Sequence, residues 1–164
     1  MKRVLFVMAL VAPLLSGCAS HALVATADNR LSMVQPHELQ RVRLPVTIAW
    51  KARDVKATTN LTGDGPFFAV FVDRAPVPAG TGLHTLVDSD CRKTAGCPDL
   101  EWFAQRHIYV TGEKRLTLSS LPKTNASSRT GADHGHTVTI VLVRQDGTRV
   151  DESAASVEFT VVGA

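Results

Sequence analysis

The sequence predicts an all-β protein, folded as an antiparallel β-sandwich of about seven short strands with one long disulfide-braced loop. Short runs of alternating or continuous apolar residues recur along the chain, and stretches rich in Gly, Pro, Asn and Asp separate them. The sequence lacks an amphipathic helical pattern of useful length. The clearest alternation places Leu44, Val46, Ile48 and Trp50 on one face of a strand.

The chain begins with the layout of a secretory signal. Lys2 and Arg3 give a positive start, residues 4–15 form an apolar run, and small residues follow it. A membrane-spanning helix needs about 20 apolar residues, which is more than this run supplies. We therefore expect residues 1–17 to be a signal peptide that is removed.

The end of this segment, Leu15-Ser16-Gly17-Cys18, resembles the lipobox of bacterial lipoproteins. The resemblance implies cleavage before Cys18, a diacylglycerol in thioether linkage to its sulfur, and usually a third acyl chain, such as palmitate, on the new amino terminus. Several acyl chains hold a protein on a bilayer far more firmly than one. Ala19, in place of Asp, implies the outer membrane in many Gram-negative bacteria. The expected location is the cell envelope, anchored in the membrane and facing the periplasm.

The mature chain divides into a tether and one domain. Residues 18–30 are small and polar without an apolar period, which is typical of a flexible tether carrying the lipid. Residues 31–164 contain the strand patterns. A mature chain of about 147 residues suffices for one domain with its own core and is too short for two ordinary ones.

The charge of the mature chain argues against a nucleic-acid partner. Of the 18 Lys and Arg residues, two leave with the signal, so 16 remain against 15 Asp and Glu, a net charge of +1. Nucleic-acid binding also needs basic residues clustered in one patch. The sequence contains no such cluster outside its first residues.

Cysteine usage agrees with an oxidising compartment. If Cys18 carries lipid, Cys91 and Cys97 remain as an even pair, and a disulfide is the expected outcome. The alternative is a redox-active or metal-binding pair. Redox motifs of the thioredoxin type have two residues between their cysteines, whereas five separate this pair.

The remaining elements follow in chain order. Residues 31–36 predict an edge strand ended by Pro36, and residues 67–72, apolar on both faces, predict an inner strand. The stretch 77–106 is the least regular, with a short helical turn predicted near residues 98–104. Further strands are predicted at residues 107–111, 116–118, 136–143 and 157–161, with a polar loop at 123–135 and a hairpin turn at 145–148.

This order of strands resembles that of bacterial Ig-like or fibronectin type III-like domains. The resemblance implies an Ig-like β-sandwich over residues 31–164. The chain departs from that pattern in residues 77–106, which are more than such a domain needs between its third and fourth strands. Binding and catalytic residues often lie on loops that a rigid scaffold positions, so this segment is the first candidate for a functional site.

The first candidate binding surface spans residues 88–102, and the loop at 123–136 is the second. The candidate contact residues of the first surface are Asp88, Asp90, Trp102 and the adjacent Phe103. An exposed aromatic pair would stack on a sugar ring or anchor a protein partner. The alternative is that both aromatic residues pack as a satellite of the core. The predicted function is an envelope binding or interaction module without catalysis or cofactor, whose partner is a protein or a glycan.

A second function class is metal handling. Asp133, His134 and His136 form the only local cluster of metal-ligand types, and in an extended chain the two histidines share one side. They would chelate copper or zinc, although two nitrogens and one carboxylate are one ligand short of a complete site. The alternative is a solvated loop, with His136 beginning a strand.

An envelope hydrolase is the third class. It would need a nucleophile, a base and an orienting group close together. The sequence has no Gly-x-Ser-x-Gly elbow and no paired signature around its six histidines. Placement of His84 or His107 in a cleft, against a carboxylate and a hydroxyl, would favour this class.

Overall fold

The computed structural model describes residues 30–58, 64–123 and 134–163. The predicted signal peptide, Cys18 and nearly all of the tether lie outside these residues, and so does Asp133. The described residues form eight strands: β1 Leu31–Gln35, β2 Gln40–Val42, β3 Val46–Ala52, β4 Phe67–Val72, β5 Ile108–Thr111, β6 Arg115–Leu118, β7 His134–Val143 and β8 Arg149–Val161.

The strands make two sheets, which confirms the predicted all-β, two-sheet architecture. One sheet has the order β1-β3-β6, and the other has the order β2-β8-β7-β4-β5. All pairings are antiparallel except the one between β2 and β8, which is parallel. The first part of the chain therefore contributes to both sheets, because β1 pairs in the smaller sheet and β2 in the larger.

The main core lies between the sheets. Val46, Ile48 and Trp50 of β3 are buried there, as their alternation predicts. The rings of Trp50 and of Phe68 from β4 pack edge to face, with their centroids 5.4 Å apart. Leu44 differs from the prediction, since it precedes β3 and remains 37% exposed.

A second core covers the outer face of the larger sheet. Every residue of β4 is buried, so the strand is apolar on both faces, as predicted. Phe68 faces the space between the sheets, whereas Phe67, Ala69 and Phe71 face outward. Residues 77–106 pack over that outward face. We call residues 77–106 the braced segment. The apolar residues that are buried between it and the sheet form the outer cluster: Phe67, Ala69, Phe71, Val77, Leu83, Phe103, Ile108, Val141 and Val143.

The braced segment contains three short helical elements. A 3₁₀ helix spans Leu83–Leu86, α1 spans Ser89–Lys93, and α2 spans Leu100–Gln105. The sequence predicts α2 but not the first two. Within the described part of the chain, none of the helices combines the length and apolar character that crossing a membrane requires.

Candidate functional site

Arginine side chains hold both ends of the braced segment to the sandwich. Arg149, a buried residue at the start of β8, donates a hydrogen bond from Nη1 to the carbonyl oxygen of Val77, at 2.8 Å. Arg74 donates from Nη1 to the carbonyl oxygen of Arg106, at 2.9 Å. Hydrogen bonds from charged donors are stronger than neutral ones. The segment is therefore attached at its first and last residues as well as through the outer cluster.

Two aspartates and one disulfide shape the middle of the segment. Asp88 accepts a hydrogen bond from the Cys91 amide at 2.9 Å and caps α1, and Asp99 accepts one from the Trp102 amide at 2.7 Å and caps α2. Cys91 and Cys97 form the predicted disulfide, with their Cα atoms 5.3 Å apart. The bond joins α1 to the turn that precedes α2.

Asp88 also connects the two helices through Arg106. The Arg106 guanidinium lies 2.6 Å from the Asp88 carboxylate, and its central carbon lies 3.8 Å from the centroid of the Trp102 ring. This distance is that of a cation–π contact. The hydrogen bond from the Cys91 amide, followed by the contacts with Arg106, lowers the pKa of Asp88 below its ordinary value. Asp88 is therefore ionised at neutral pH.

A groove opens between the braced segment and the turn that joins β7 to β8. Its volume is about 490 Å³. We call it the braced groove, and its lining residues are Phe67, Leu83, His84, Gly96, Pro98, Asp99, Leu100, Phe103, Val110, Gln145, Asp146 and Gly147. Leu100, the first residue of α2, is 54% exposed. Leu100 belongs to the apolar lining of the groove, and contiguous apolar patches that reach the surface are typical of binding surfaces.

A larger depression, of about 820 Å³, shares Gln145 with the braced groove but is otherwise lined by different residues. Lys56, Gly65 and Pro66 line part of it, next to residues that the structure does not describe. It contains none of the site residues that the sequence predicts. The braced groove is therefore the better candidate site.

The four predicted contact residues occupy different environments. Phe103 is buried in the outer cluster and contributes to the floor of the braced groove, and Trp102 is partly buried against it. The two rings pack edge to face, with centroids 5.2 Å apart. This placement matches the alternative in which both aromatic residues pack as a satellite core. Asp88 acts as cap and ion-pair partner, while Asp90 lies on the exposed side of α1.

The metal-binding alternative depends on residues that are only partly described. Asp133 and the side chain of His134 lie outside the described part. His136 is buried, its Nδ1 lies 2.7 Å from the Asp73 carboxylate, and its ring lies beside Phe159. The described residues include no group of three or more His, Cys, Asp or Glu residues positioned to hold a metal ion.

The histidines that would favour a hydrolase are not paired with catalytic groups. His84 lines the braced groove, and His107 directly precedes β5. Among the described residues, neither imidazole ring is hydrogen-bonded to a carboxylate or a hydroxyl. A hydrolase with a histidine base and a hydroxyl nucleophile would bring such groups together around the imidazole ring.

The sequence predicts a site in the braced segment but does not predict the opposite wall of the braced groove. That wall is the turn of Gln145, Asp146 and Gly147, where Asp146 accepts a hydrogen bond from the Thr148 amide and Gly147 has φ +82°. The sequence predicts the turn from its Asp-Gly pair. It contains no signal that the turn lies beside α2, because that proximity results from the sheet.

Loss of the disulfide is expected to destabilise the domain without unfolding it. The bond closes a short loop, which in the chain-entropy model contributes about 2 kcal/mol and lowers Tm by roughly 5–10 °C when it is lost. Calorimetry of the wild type with and without a thiol reductant measures this shift. The Cys91→Ser, Cys97→Ser double variant is the control, and reductant should not change its Tm. A wild-type Tm that is the same with and without the reductant would contradict the prediction.

A search for related proteins finds no match to this chain among protein-family models, curated proteins or solved structures.

Proposed function

We propose that the protein is a lipid-anchored module of the bacterial cell envelope that binds another envelope protein through the braced groove and performs no catalysis. The lipobox resemblance at Cys18 supports the anchor and a location at the outer membrane, facing the periplasm. The observation that carries the binding role is the braced groove, an apolar depression with a 54% exposed Leu100 on its wall.

The domain is proposed to be Ig-like. In an immunoglobulin sandwich, strands A, B and E share one sheet and strands C, F and G share the other. The order β1-β3-β6 corresponds to A-B-E, and β8-β7-β4 corresponds to G-F-C. β5 then takes the place of C′ beside C. The braced segment is an insertion between these last two strands, which supports a role beyond that of a simple connection.

Rigidity supports the assignment of the braced groove as a binding surface. Its wall is capped at two helix starts, crosslinked once and tied to the sandwich by Arg74 and Arg149. A preorganised surface loses little conformational entropy when a partner binds. The apolar floor provides the burial that drives association.

The proposal is tested by replacing Leu100 with serine. Burial of one leucine side chain at an interface contributes about 1.5–3 kcal/mol, so the variant is expected to bind its partner at least about tenfold more weakly. The measurement is native mass spectrometry of the full-length protein, gently extracted from its own membrane. A stoichiometric protein complex should be present for the wild type and strongly reduced for Leu100→Ser.

Leu39→Ser is the matched control. Leu39 is also an exposed leucine, at 72%. Its amide N–H donates a hydrogen bond to the carbonyl oxygen of Glu158, which lies far along β8 from the braced groove. This variant should retain the complex. A complex that is equally abundant in both variants would show that the partner does not bind in the braced groove. A monomer carrying copper or zinc would favour the metal-handling alternative instead.

A further inference from the structure

The rim of the braced groove is acidic. Asp99 stands at the start of α2 and Asp146 in the turn opposite, and both line the groove. The hydrogen bonds from Thr148 lower the pKa of Asp146 below its ordinary value, with a smaller contribution from the positive charge of Arg144. Asp146 is therefore ionised at neutral pH. No lysine or arginine occurs among the described residues that line the groove, and Arg144, two residues before Asp146, acts on that carboxylate from outside the lining.

Two cations of the braced segment are already engaged elsewhere. The Arg92 side chain donates two hydrogen bonds to the Val87 carbonyl oxygen, at 2.9 and 3.2 Å. Arg106 is held by Asp88 and by the Trp102 ring. Neither guanidinium lines the groove, so neither is placed to neutralise its rim.

The same contacts argue for a peptide over a glycan. A sugar ring stacks on an exposed aromatic face, but Arg106 covers one face of Trp102, and Phe103 packs against the indole ring. An anionic glycan would also be repelled by the two rim carboxylates. The groove instead combines an apolar floor with negative charge on both walls.

We infer that the occupant of the braced groove is a segment of a protein partner in which an apolar side chain is flanked by lysine or arginine. The apolar side chain lies over Phe67, Leu83 and Phe103, and the cationic side chains reach Asp99 and Asp146. This inference rests on the proposed binding function and adds the chemistry of the partner. Charge complementarity of this kind contributes specificity and association rate more than total affinity.

Short fluorescent peptides test the inference on the full-length protein in a nonionic detergent. Three synthetic peptides of equal length differ only at their centre, which is Lys-Leu-Lys, Glu-Leu-Glu or Lys-Ser-Lys. Fluorescence anisotropy should show that the first binds at least about tenfold more tightly than either of the others. Its binding should also weaken between about 50 mM and about 500 mM salt, because exposed ion pairs are screened.

Charge-neutral variants show whether Asp99 and Asp146 are the carboxylates that bind the cationic peptide. Asparagine retains the capping and turn geometry of aspartate, so Asp99→Asn and Asp146→Asn remove charge with little structural change. Each should weaken binding of the Lys-Leu-Lys peptide about threefold, and the double variant about tenfold. Glu158→Gln is the control, because Glu158 lies about 30 Å along β8 from the turn, and it should bind as the wild type does.

Equal affinities for the three peptides, or a double variant that binds normally, would overturn the inference. Native mass spectrometry of the Leu100→Ser variant distinguishes failure of this inference from failure of the proposed function. If Leu100→Ser still loses its complex, the groove is a binding site for a partner of different chemistry. If neither the complex nor peptide binding depends on Leu100, both the inference and the proposed site are wrong.

Discussion

Replacing Phe71 with alanine is expected to lower the free energy of unfolding by about 3–5 kcal/mol. Phe71 is fully buried in the outer cluster, where it faces the braced segment and not the space between the sheets. Removing the ring leaves a cavity under that segment. Whole domains are stable by only about 5–15 kcal/mol, so this loss is large. Urea unfolding of the variant and the wild type measures it.

Phe68→Ala is the matched control for this experiment. Phe68 is equally buried on the other face of the same strand, in the main core. Both variants should lose similar stability, but only Phe71→Ala should increase hydrogen exchange selectively in residues 83–105. A loss below about 1 kcal/mol for Phe71→Ala, close to that of a surface substitution, would show that the braced segment does not form a second core.

Replacing Cys18 with serine is expected to abolish lipidation completely. The lipobox resemblance assigns the thioether-linked diacylglycerol to the sulfur of Cys18, and a serine hydroxyl cannot form that thioether. Since each buried methylene contributes about 0.8 kcal/mol to membrane binding, loss of the acyl chains is expected to release the protein from the membrane. The mass of the protein extracted from its membrane measures the result. The wild type should lack its first 17 residues and carry acyl chains.

The double variant Cys91→Ser, Cys97→Ser provides the comparison, because it removes two sulfurs but leaves Cys18 in place. It should retain the full acyl mass. An unacylated wild type, or a Cys18→Ser protein that still carries acyl chains, would contradict both the anchor and the proposed location.

Strands with a clear apolar period are predictable because that signal is local. The alternation in β3 and the two-sided apolar run of β4 each indicate how their side chains are buried, and the structure agrees. β2 was not predicted. Its three residues, Gln40–Val42, are largely exposed, and the strand forms because its backbone pairs with β8, more than 110 residues further along the chain.

The candidate site was predictable in part. The proline and acidic residues at its start predict α2, and the even pair of cysteines left by Cys18, together with the expected oxidising compartment, predicts the disulfide. The sequence does not decide between a surface and a core environment for Trp102 and Phe103, because an aromatic pair occurs in both. Arg106 and the outer face of β4 decide between these possibilities through contacts that no local pattern encodes.

The sequence by itself indicated the strands that have a clear apolar period, the expected membrane anchor and the cysteines that pair. These properties depend on neighbouring residues, on side-chain period and on compartment. Only the tertiary structure decided that the braced segment forms a second layer, and that Asp99 and Asp146 face one groove from elements more than 40 residues apart. The reason is that sheet pairing sets the distance between remote residues, whereas the sequence pattern of each strand specifies only its own two faces.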